Sequence, residues 1–285
     1  MKITKLIIPV AGFGTRFLPV TKALPKEMLP ILDKPAVQYI VEEAVASGIE
    51  DIILVTGQNK RAVEDHFDYN PELEDWLRHT RKTDQLKQIR EIAQLANFIY
   101  VRQKGPYGNG TPILNARHLV GDEPFAVAWG DDLFFGRPPR LKQLITVFEK
   151  YQDPVLSAVA VTARETAKYG IVEGTEVEPG IYQISRLKEK PGPKRTTSRL
   201  AAIGSYILTP DIFTELEKTP LRDHELYLPD AIDRLLKRRT IYAKLIEGDY
   251  HDIGSKFGWL KANLSVAMTD RAVRPQLKSY LKKLL

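Results

Sequence analysis

The chain has 285 residues, a length that suits one or two domains and can bury roughly three quarters of its unfolded surface without a staple. Its 43% hydrophobic and 27% charged residues match an ordinary globular domain and exclude a disordered or collagen-like chain. Forty-two basic against 36 acidic residues give a net charge of +6, and zero cysteines exclude disulfides, thiolate zinc sites and cysteine nucleophiles, in agreement with a reducing cytoplasm.

A basic excess can serve nucleic acid, an anionic membrane or small polyanionic substrates. Here the cations stand singly beside Gly and Pro, or on helices among acids. Even the basic segment from Arg78 to Arg90 reads as one solvated helical region. Neither nucleic acid nor a membrane is therefore an expected partner. No apolar run approaches the roughly 20 residues of a membrane helix, Val155 to Val161 being typical of the longest. Met1-Lys2 leads into a short strand-like run and not into a secretory signal.

In chain order, Leu6 to Val10 reads as a buried strand. Val37, Ile40, Val41, Ala44 and Val45 follow a helical period that Gly48 ends. Ile52 to Thr56 is a second strand, Asn59 into the Ala90s region is mostly helical, and Phe98 to Arg102 is a third strand. Thr111-Pro112 opens a helix as N-cap and N1. Phe125 to Trp129 is a strand that runs out at Gly130-Asp131-Asp132, and Leu141 to Tyr151 is a helix. Strands then follow one another at Val155–Val161, Gly170–Glu173, Ile181–Lys188 and Leu200–Leu208, separated by Gly- and Pro-rich turns. Pro229 to Arg238 is helical and Ile241 to Ile246 a strand, with helices at Lys256–Met268 and Gln276–Leu284 closing the chain. The alternation predicts an α/β fold, a Rossmann-like mixed sheet flanked by helices with antiparallel insertions in its second half.

The first strand runs into Ala11-Gly12-Phe13-Gly14-Thr15-Arg16-Phe17. Glycines directly after a buried strand let backbone amides approach a phosphate that a Cβ would hold off. A dinucleotide fingerprint requires Gly or Ala where Phe17 stands, which disfavours a nicotinamide oxidoreductase, and no Walker pattern occurs. Arg16, Lys22 and Lys26 follow closely, and Pro19, Pro25 and Pro30 break any continuous helix, so these cations sit on a shaped loop.

The stretch Ala11-Gly12-Phe13-Gly14-Thr15-Arg16, followed by Pro25-Lys26-Glu27-Met28-Leu29-Pro30, resembles the signature of the sugar-phosphate nucleotidyltransferases, with its nearest likeness in their bacterial uridylyltransferase branch. Further segments match in order: Val101-Arg102-Gln103, Gly121-Asp122-Glu123-Pro124, Asp131-Asp132, Tyr169-Gly170, Glu189-Lys190-Pro191, Asp230-Ala231-Ile232-Asp233 and His251-Asp252-Ile253-Gly254. Departures fall at Gly108-Asn109-Gly110-Thr111-Pro112, where Thr111 and Pro112 replace the usual His-Ala. They also fall at Trp129-Gly130, usually Leu-Pro, and at Arg199, where Asn is common.

The resemblance implies the nucleotide-diphospho-sugar transferase type of fold. A nucleotidyltransferase domain would span 1–265, with a nucleotide-binding half at about 1–135 and a sugar-phosphate half at about 136–254. Residues 255–285 would be helices that close the fold or form an oligomer contact, in a cytoplasmic homodimer or homotetramer. The implied reaction joins UTP and glucose 1-phosphate, giving UDP-glucose and pyrophosphate. Transfer to another nucleotide or sugar, such as dTTP with glucose 1-phosphate, is the alternative within the family. A non-catalytic nucleotide-sugar sensor would be expected to have lost Lys26 or Asp131, and both are present.

By the same resemblance, Arg16, Lys26 and Asp131 are the catalytic residues. Ala11, Gly12, Gly14, Thr15, Glu27, Gln103 and Gly108 join Arg16 and Lys26 at the nucleotide, and Gly170, Glu189 and Lys190 take the sugar phosphate. Asp131 and Asp252 would hold Mg2+, an ion that favours one or two carboxylates plus substrate phosphates. Each assignment has a plain structural counterpart: a helix N-cap for either aspartate, a local ion pair for Glu27 or for Glu189-Lys190, a turn glutamine for Gln103, a surface cation for Lys22.

Overall fold

The computed structural model describes residues 2–284, so Met1 and Leu285, at the ends of the expected units, lie outside it. A nine-stranded mixed sheet forms the centre of that span. Across it the strands lie in the order Asn97–Arg102, Asp51–Thr56, Lys5–Pro9, Phe125–Ala128, Leu200–Leu208, Val155–Ala160, Tyr242–Leu245, Ile181–Glu189 and Gly170–Glu178. The first four are parallel to one another, and the direction reverses where Leu200–Leu208 joins Phe125–Ala128. Beyond that point antiparallel pairings dominate, and Gly170–Val172 folds back to pair with Leu200–Ala202. This is the mixed α/β sheet with antiparallel insertions that the sequence predicts.

The central strands read as continuous apolar runs because both their faces are covered. Alternation sends Leu6, Ile8, Ile52, Leu54, Ala126 and Ala128 to one face, where helices Ala36–Ala46 and Arg140–Tyr151 cover them. Ile7, Ile53, Val55, Phe125 and Val127 face the other way, onto helices Thr111–Asn115, Asp211–Lys218 and Leu228–Leu235. The helix Ala36–Ala46 buries Val37, Ile40, Val41 and Ala44 along one stripe and is ended by Gly48, whose φ of +96° suits glycine.

Several details differ from the sequence reading. The helical region after Asn59 is three helices, Arg61–His66, Pro71–His79 and Thr83–Ala93, the second capped by Asn70 ahead of Pro71. Trp129 leaves its strand, and a further strand, Asp132–Phe135, pairs antiparallel with Asp249–Asp252. The helix Asp211–Lys218 was not anticipated, the strand starting at Gly170 runs on to Glu178, and the last helix starts at Val273. Helix Lys256–Thr269 docks on the segment after Lys26: Trp259 Nε1 donates to the Pro30 carbonyl at 3.1 Å, and Asn263 Oδ1 accepts from the Leu32 N–H at 3.0 Å. Among the described residues no helix is long and apolar enough to cross a membrane.

The carboxyl ends of the four parallel strands open on one edge of the sheet. The segments that follow them, 10–14, 57–60, 103–110 and 129–131, therefore gather there, where open α/β sheets place ligands.

Candidate active site

The loop after Pro9 is shaped by its glycines and prolines. Gly14 sits at φ 67°, ψ 30°, and a Cβ there would come within 3.1 Å of Lys26 Cβ and 3.2 Å of Thr21 Cγ2. Three short 3-10 turns follow, Thr15–Phe17, Val20–Lys22 and Lys26–Met28, the last two each preceded by a proline. Thr21 Oγ1 donates to the Gly14 carbonyl at 2.8 Å, which folds the loop back on itself. This winding lays the Lys26 side chain beneath Gly12, whose added Cβ would lie 3.7 Å from Lys26 Cε.

Lys26 Nζ reaches Asp131 Oδ2 at 2.6 Å, and both side chains are mostly buried. Asp131 is carried at the end of Phe125–Ala128, and the strand pair Asp132–Phe135 and Asp249–Asp252 brings Asp252 alongside. The Ile253 N–H donates to the Asp131 carbonyl at 3.1 Å and the Gly254 N–H to Asp252 Oδ1 at 2.9 Å. A Cβ on Gly254 would lie 3.0 Å from each of Arg16 Nη2, Asp131 Oδ2 and Asp252 Oδ1. The missing side chain of Gly254 thus leaves a small cradle edged by two carboxylate oxygens and one guanidinium.

Burial opposes charge on both members of the Lys26–Asp131 pair, yet each is held in its charged form. Desolvation would lower the Lys26 ammonium, but the carboxylates of Asp131 and Glu27 outweigh it and push the pKa up. Desolvation would raise Asp131, but Lys26 and then Arg16 bring it below the usual carboxylate range. Asp132 behaves oppositely. Burial first, and then the charge of Asp131, push it up to about 7, while Tyr250 donates a hydrogen bond to its Oδ1 at 2.9 Å. It packs so tightly that a Cβ on Gly204 would lie 1.9 Å from its Oδ2.

Glu27 is fully buried and pairs with Lys60 Nζ at 2.8 Å, while its Oε1 has no hydrogen-bond partner among the described residues. Burial raises its pKa and Lys60 and Lys26 pull it back, the net shift being upward. Lys60 escaped the sequence reading. A lone lysine opening a helix has no informative spacing; the signal available was its place just beyond the carboxyl end of Asp51–Thr56, as the glycine loop follows Lys5–Pro9.

Two adjoining cavities occupy this edge. One, of about 640 Å3, is lined by Thr15, Lys22, Lys60 and the 57–59 segment. The other, of about 540 Å3, is lined by Arg16, Lys26, Glu27, Gly108, Trp129 and Asp131. Ala11, Gly12, Phe13, Gln103 and Tyr107 line both. Gln103 is anchored by its own N–H on the Thr56 carbonyl at 2.8 Å. Gly108 lies at φ +110°, and a Cβ there would collide with the Leu226 carbonyl at 2.2 Å. The 105–110 loop is fastened to the segment before helix Leu228–Leu235, with Gly110 N–H on the Leu226 carbonyl at 2.9 Å and the Leu228 N–H on Asn109 Oδ1 at 2.8 Å.

The expected nucleotide and catalytic residues thus gather around these cavities, Gly14 shaping the loop from behind and Asp252 reaching the centre through Gly254. The expected sugar-phosphate residues form a separate cluster and line neither cavity. Gly170 pairs with Glu189 across two strands, and Lys190 Nζ lies 3.1 Å from Glu189 Oε1. The departures divide: Pro112 and Trp129 face the second cavity, Thr111 is buried beside it, and Gly130 leaves room for Glu27 Cγ, 3.0 Å from where a Cβ would be. Arg199 donates to the carbonyls of Thr196 and Ser198 in its own turn.

Residues 5–269 match the family model described as nucleotidyl transferase. The chain is 46% identical over 286 residues to UTP–glucose-1-phosphate uridylyltransferase YngB of Bacillus subtilis (strain 168), covering all of this chain and 96% of that one. It is 47% identical over 284 residues to UTP–glucose-1-phosphate uridylyltransferase 2 of Staphylococcus saprophyticus, covering 99% of this chain and 98% of that one. Among solved structures, UTP-bound UGPase from Acinetobacter baumannii superposes with a TM-score of 0.93 at 36% identity, both chains fully covered. A UDP-glucose pyrophosphorylase complexed with UDP-glucose gives 0.86 at 43% identity, covering 94% of this chain and all of that one.

Proposed function

The chain belongs to the nucleotidyl transferase family, and from that premise we propose that it joins UTP to α-D-glucose 1-phosphate, forming UDP-glucose and pyrophosphate. The observation that carries the reading is the buried, charged Lys26–Asp131 pair with Arg16 and Asp252 around Gly254, at the sheet edge where the glycine loop can meet phosphates.

An oxygen of the sugar phosphate forms a bond to the α-phosphorus of UTP while the bond from that phosphorus to the bridging oxygen breaks, and pyrophosphate leaves with the electron pair. A sugar phosphate, whose second pKa is about 6, is mostly dianionic at neutral pH and attacks without a general base. Such transfers depend on in-line placement and on neutralising crowded charge. Arg16 and Lys26 supply fixed positive charge at the α-phosphate, and the glycine loop, with Ala11, Gly12 and Thr15, supplies close backbone approach. Gln103 can both donate to and accept from a pyrimidine edge, which Gly108 lets pass closely, and Glu27 lies beneath. On the sugar side, Glu189 accepts from hydroxyls, Lys190 pairs with the phosphate, and Gly170 leaves room for the ring.

Asp131 and Asp252 would hold Mg2+ by hard carboxylate oxygens that converge beside Gly254, where Asp131 Oδ2 pairs with Lys26 and Arg16 Nη2 stands alongside. Among the described residues no group of three or more His, Cys, Asp or Glu could hold a metal alone, consistent with an ion that takes its remaining ligands from phosphates and water. When bound, such an ion would supply positive charge that neutralises phosphate oxygens and lowers the repulsion between the two anionic substrates. Zero cysteines support a cytoplasmic setting, and the unburied helix Val273–Leu284, with Tyr280 and Leu284 exposed, supports a contact in a homodimer or homotetramer.

The test is a pyrophosphate-coupled assay over a panel of nucleotides and sugar 1-phosphates. UTP with glucose 1-phosphate should give the highest kcat/KM. A higher value with dTTP would move the assignment within the family, and no pyrophosphate from any pair would overturn it.

A further inference from the structure

Phe13 and Tyr107 are large aromatic side chains left 68% and 61% exposed. Their rings nonetheless meet, centroids 5.6 Å apart and planes tilted by 56°. Among the described residues this is the one aromatic pair in which both members are exposed. The two come from opposite walls of the site: Phe13 stands between Gly12 and Gly14 on the first loop, Tyr107 between Gly105 and Gly108 on the third. Both line both cavities, so the pair spans the junction between the two.

The backbones beneath the rings are held firmly. Gly14 is packed against Lys26 and Thr21, and the Tyr107 carbonyl accepts from the Leu226 N–H at 2.8 Å. Neither ring is needed to fill a core, since the buried clusters do not include them. Two fixed loops thus present apolar, flat surfaces to water directly over a ligand-sized space. Aromatic faces in such a position gain most by covering another flat ring, because stacking buries apolar area at little cost in side-chain freedom.

We propose that Phe13 and Tyr107 form an aromatic clasp that closes over the nucleoside part of the nucleotide, joining the glycine loop to the 105–110 loop and positioning the base against Gln103. The inference rests on the proposed uridylyl transfer and adds two positioning residues to it. The clasp acts on the nucleotide and not on the sugar phosphate, because the Glu189–Lys190 cluster lines neither cavity. The rings touch each other, so they work as a unit, and removing one should remove most of the benefit of the other.

The experiment is initial-rate kinetics on the full chain for Phe13→Ala, Tyr107→Ala, the double variant, and the aromatic replacements Phe13→Tyr and Tyr107→Phe. Each alanine variant should raise KM for UTP by roughly 5- to 30-fold, as expected for losing one stacking surface. KM for glucose 1-phosphate and kcat should change less than threefold. The double variant should fall close to the worse single one, and both aromatic replacements should keep KM near that of the parent. Since both side chains are exposed, melting temperatures should hold; should an alanine variant be destabilised, Phe13→Leu and Tyr107→Leu, which keep bulk but not a flat face, should show the same rise in KM. An unchanged KM for UTP, or equal rises in both KM values, would overturn the clasp. A parent protein that turns over UTP in the same assay separates that failure from a failure of the proposed reaction.

Discussion

Removing Lys26 should affect both catalysis and stability, because it leaves the mostly buried Asp131 carboxylate without the partner that holds it charged. The Lys26 ammonium is held in place by Asp131, and its proposed role is toward phosphate. Lys26→Ala should lower turnover on the order of 10²- to 10³-fold, the usual loss for one preorganised charge-stabilising group, with UTP and glucose 1-phosphate saturating. More than half the parent activity would remove Lys26 from the proposed chemistry. Gln103 is proposed to contact the base, so Gln103→Ala should weaken UTP binding by roughly 1 to 3 kcal/mol, read as a rise in KM for UTP with KM for the sugar phosphate little changed. A rise confined to the sugar phosphate would move Gln103 to the other half-site. At this scale the sequence was legible where chemistry demands a pattern, as in glycines after a strand, cations among prolines and an Asp pair past a strand. Lys60, Tyr250 and Tyr107 left no such mark. A lysine opening a helix, a tyrosine in a short strand or a tyrosine on a loop acquires meaning only through a partner distant in the chain, here Glu27, Asp132 and Phe13 respectively.

The element that assembles the centre is the pair of short strands Asp132–Phe135 and Asp249–Asp252. Its register sets Asp252 opposite Asp132, and so beside Asp131, and it was invisible in the sequence because neither half has a distinctive run. The strands Leu6–Val10, Ile52–Thr56 and Leu200–Leu208 were legible because strands covered on both faces must be apolar throughout. The short helix Asp211–Lys218 was not, because it buries only three apolar residues, Ile212, Phe213 and Leu216, and its fourth buried residue is Glu215. Leu200–Leu208 supports the centre from behind at Gly204, whose carbonyl also accepts from the Trp129 N–H at 2.8 Å. Gly204→Ala would drive a methyl into the buried Asp132 carboxyl. It should cost about 1 to 3 kcal/mol of stability in urea unfolding and lower turnover as well, because Asp132 adjoins Asp131. An unchanged unfolding midpoint would show that this packing yields more easily than its spacing implies.

At the scale of the whole molecule, one sheet carries both groups of residues. Phe125–Ala128, which delivers Asp131, is hydrogen-bonded to Leu200–Leu208, and helices from late in the chain cover the same core face as the first parallel strands. Asp131 and Asp252 meet only because the later part of the chain returns across the earlier. The two are proposed to act jointly on phosphates, with a divalent ion completing the site. The measurement that bears on that joint action most directly is UDP-glucose formation by the purified chain from UTP and glucose 1-phosphate, with magnesium or with excess EDTA, beside Asp131→Asn. Activity should appear with magnesium, vanish with EDTA, and stay mostly absent in Asp131→Asn even at raised magnesium. Undiminished UDP-glucose formation in EDTA, or in Asp131→Asn, would contradict the account.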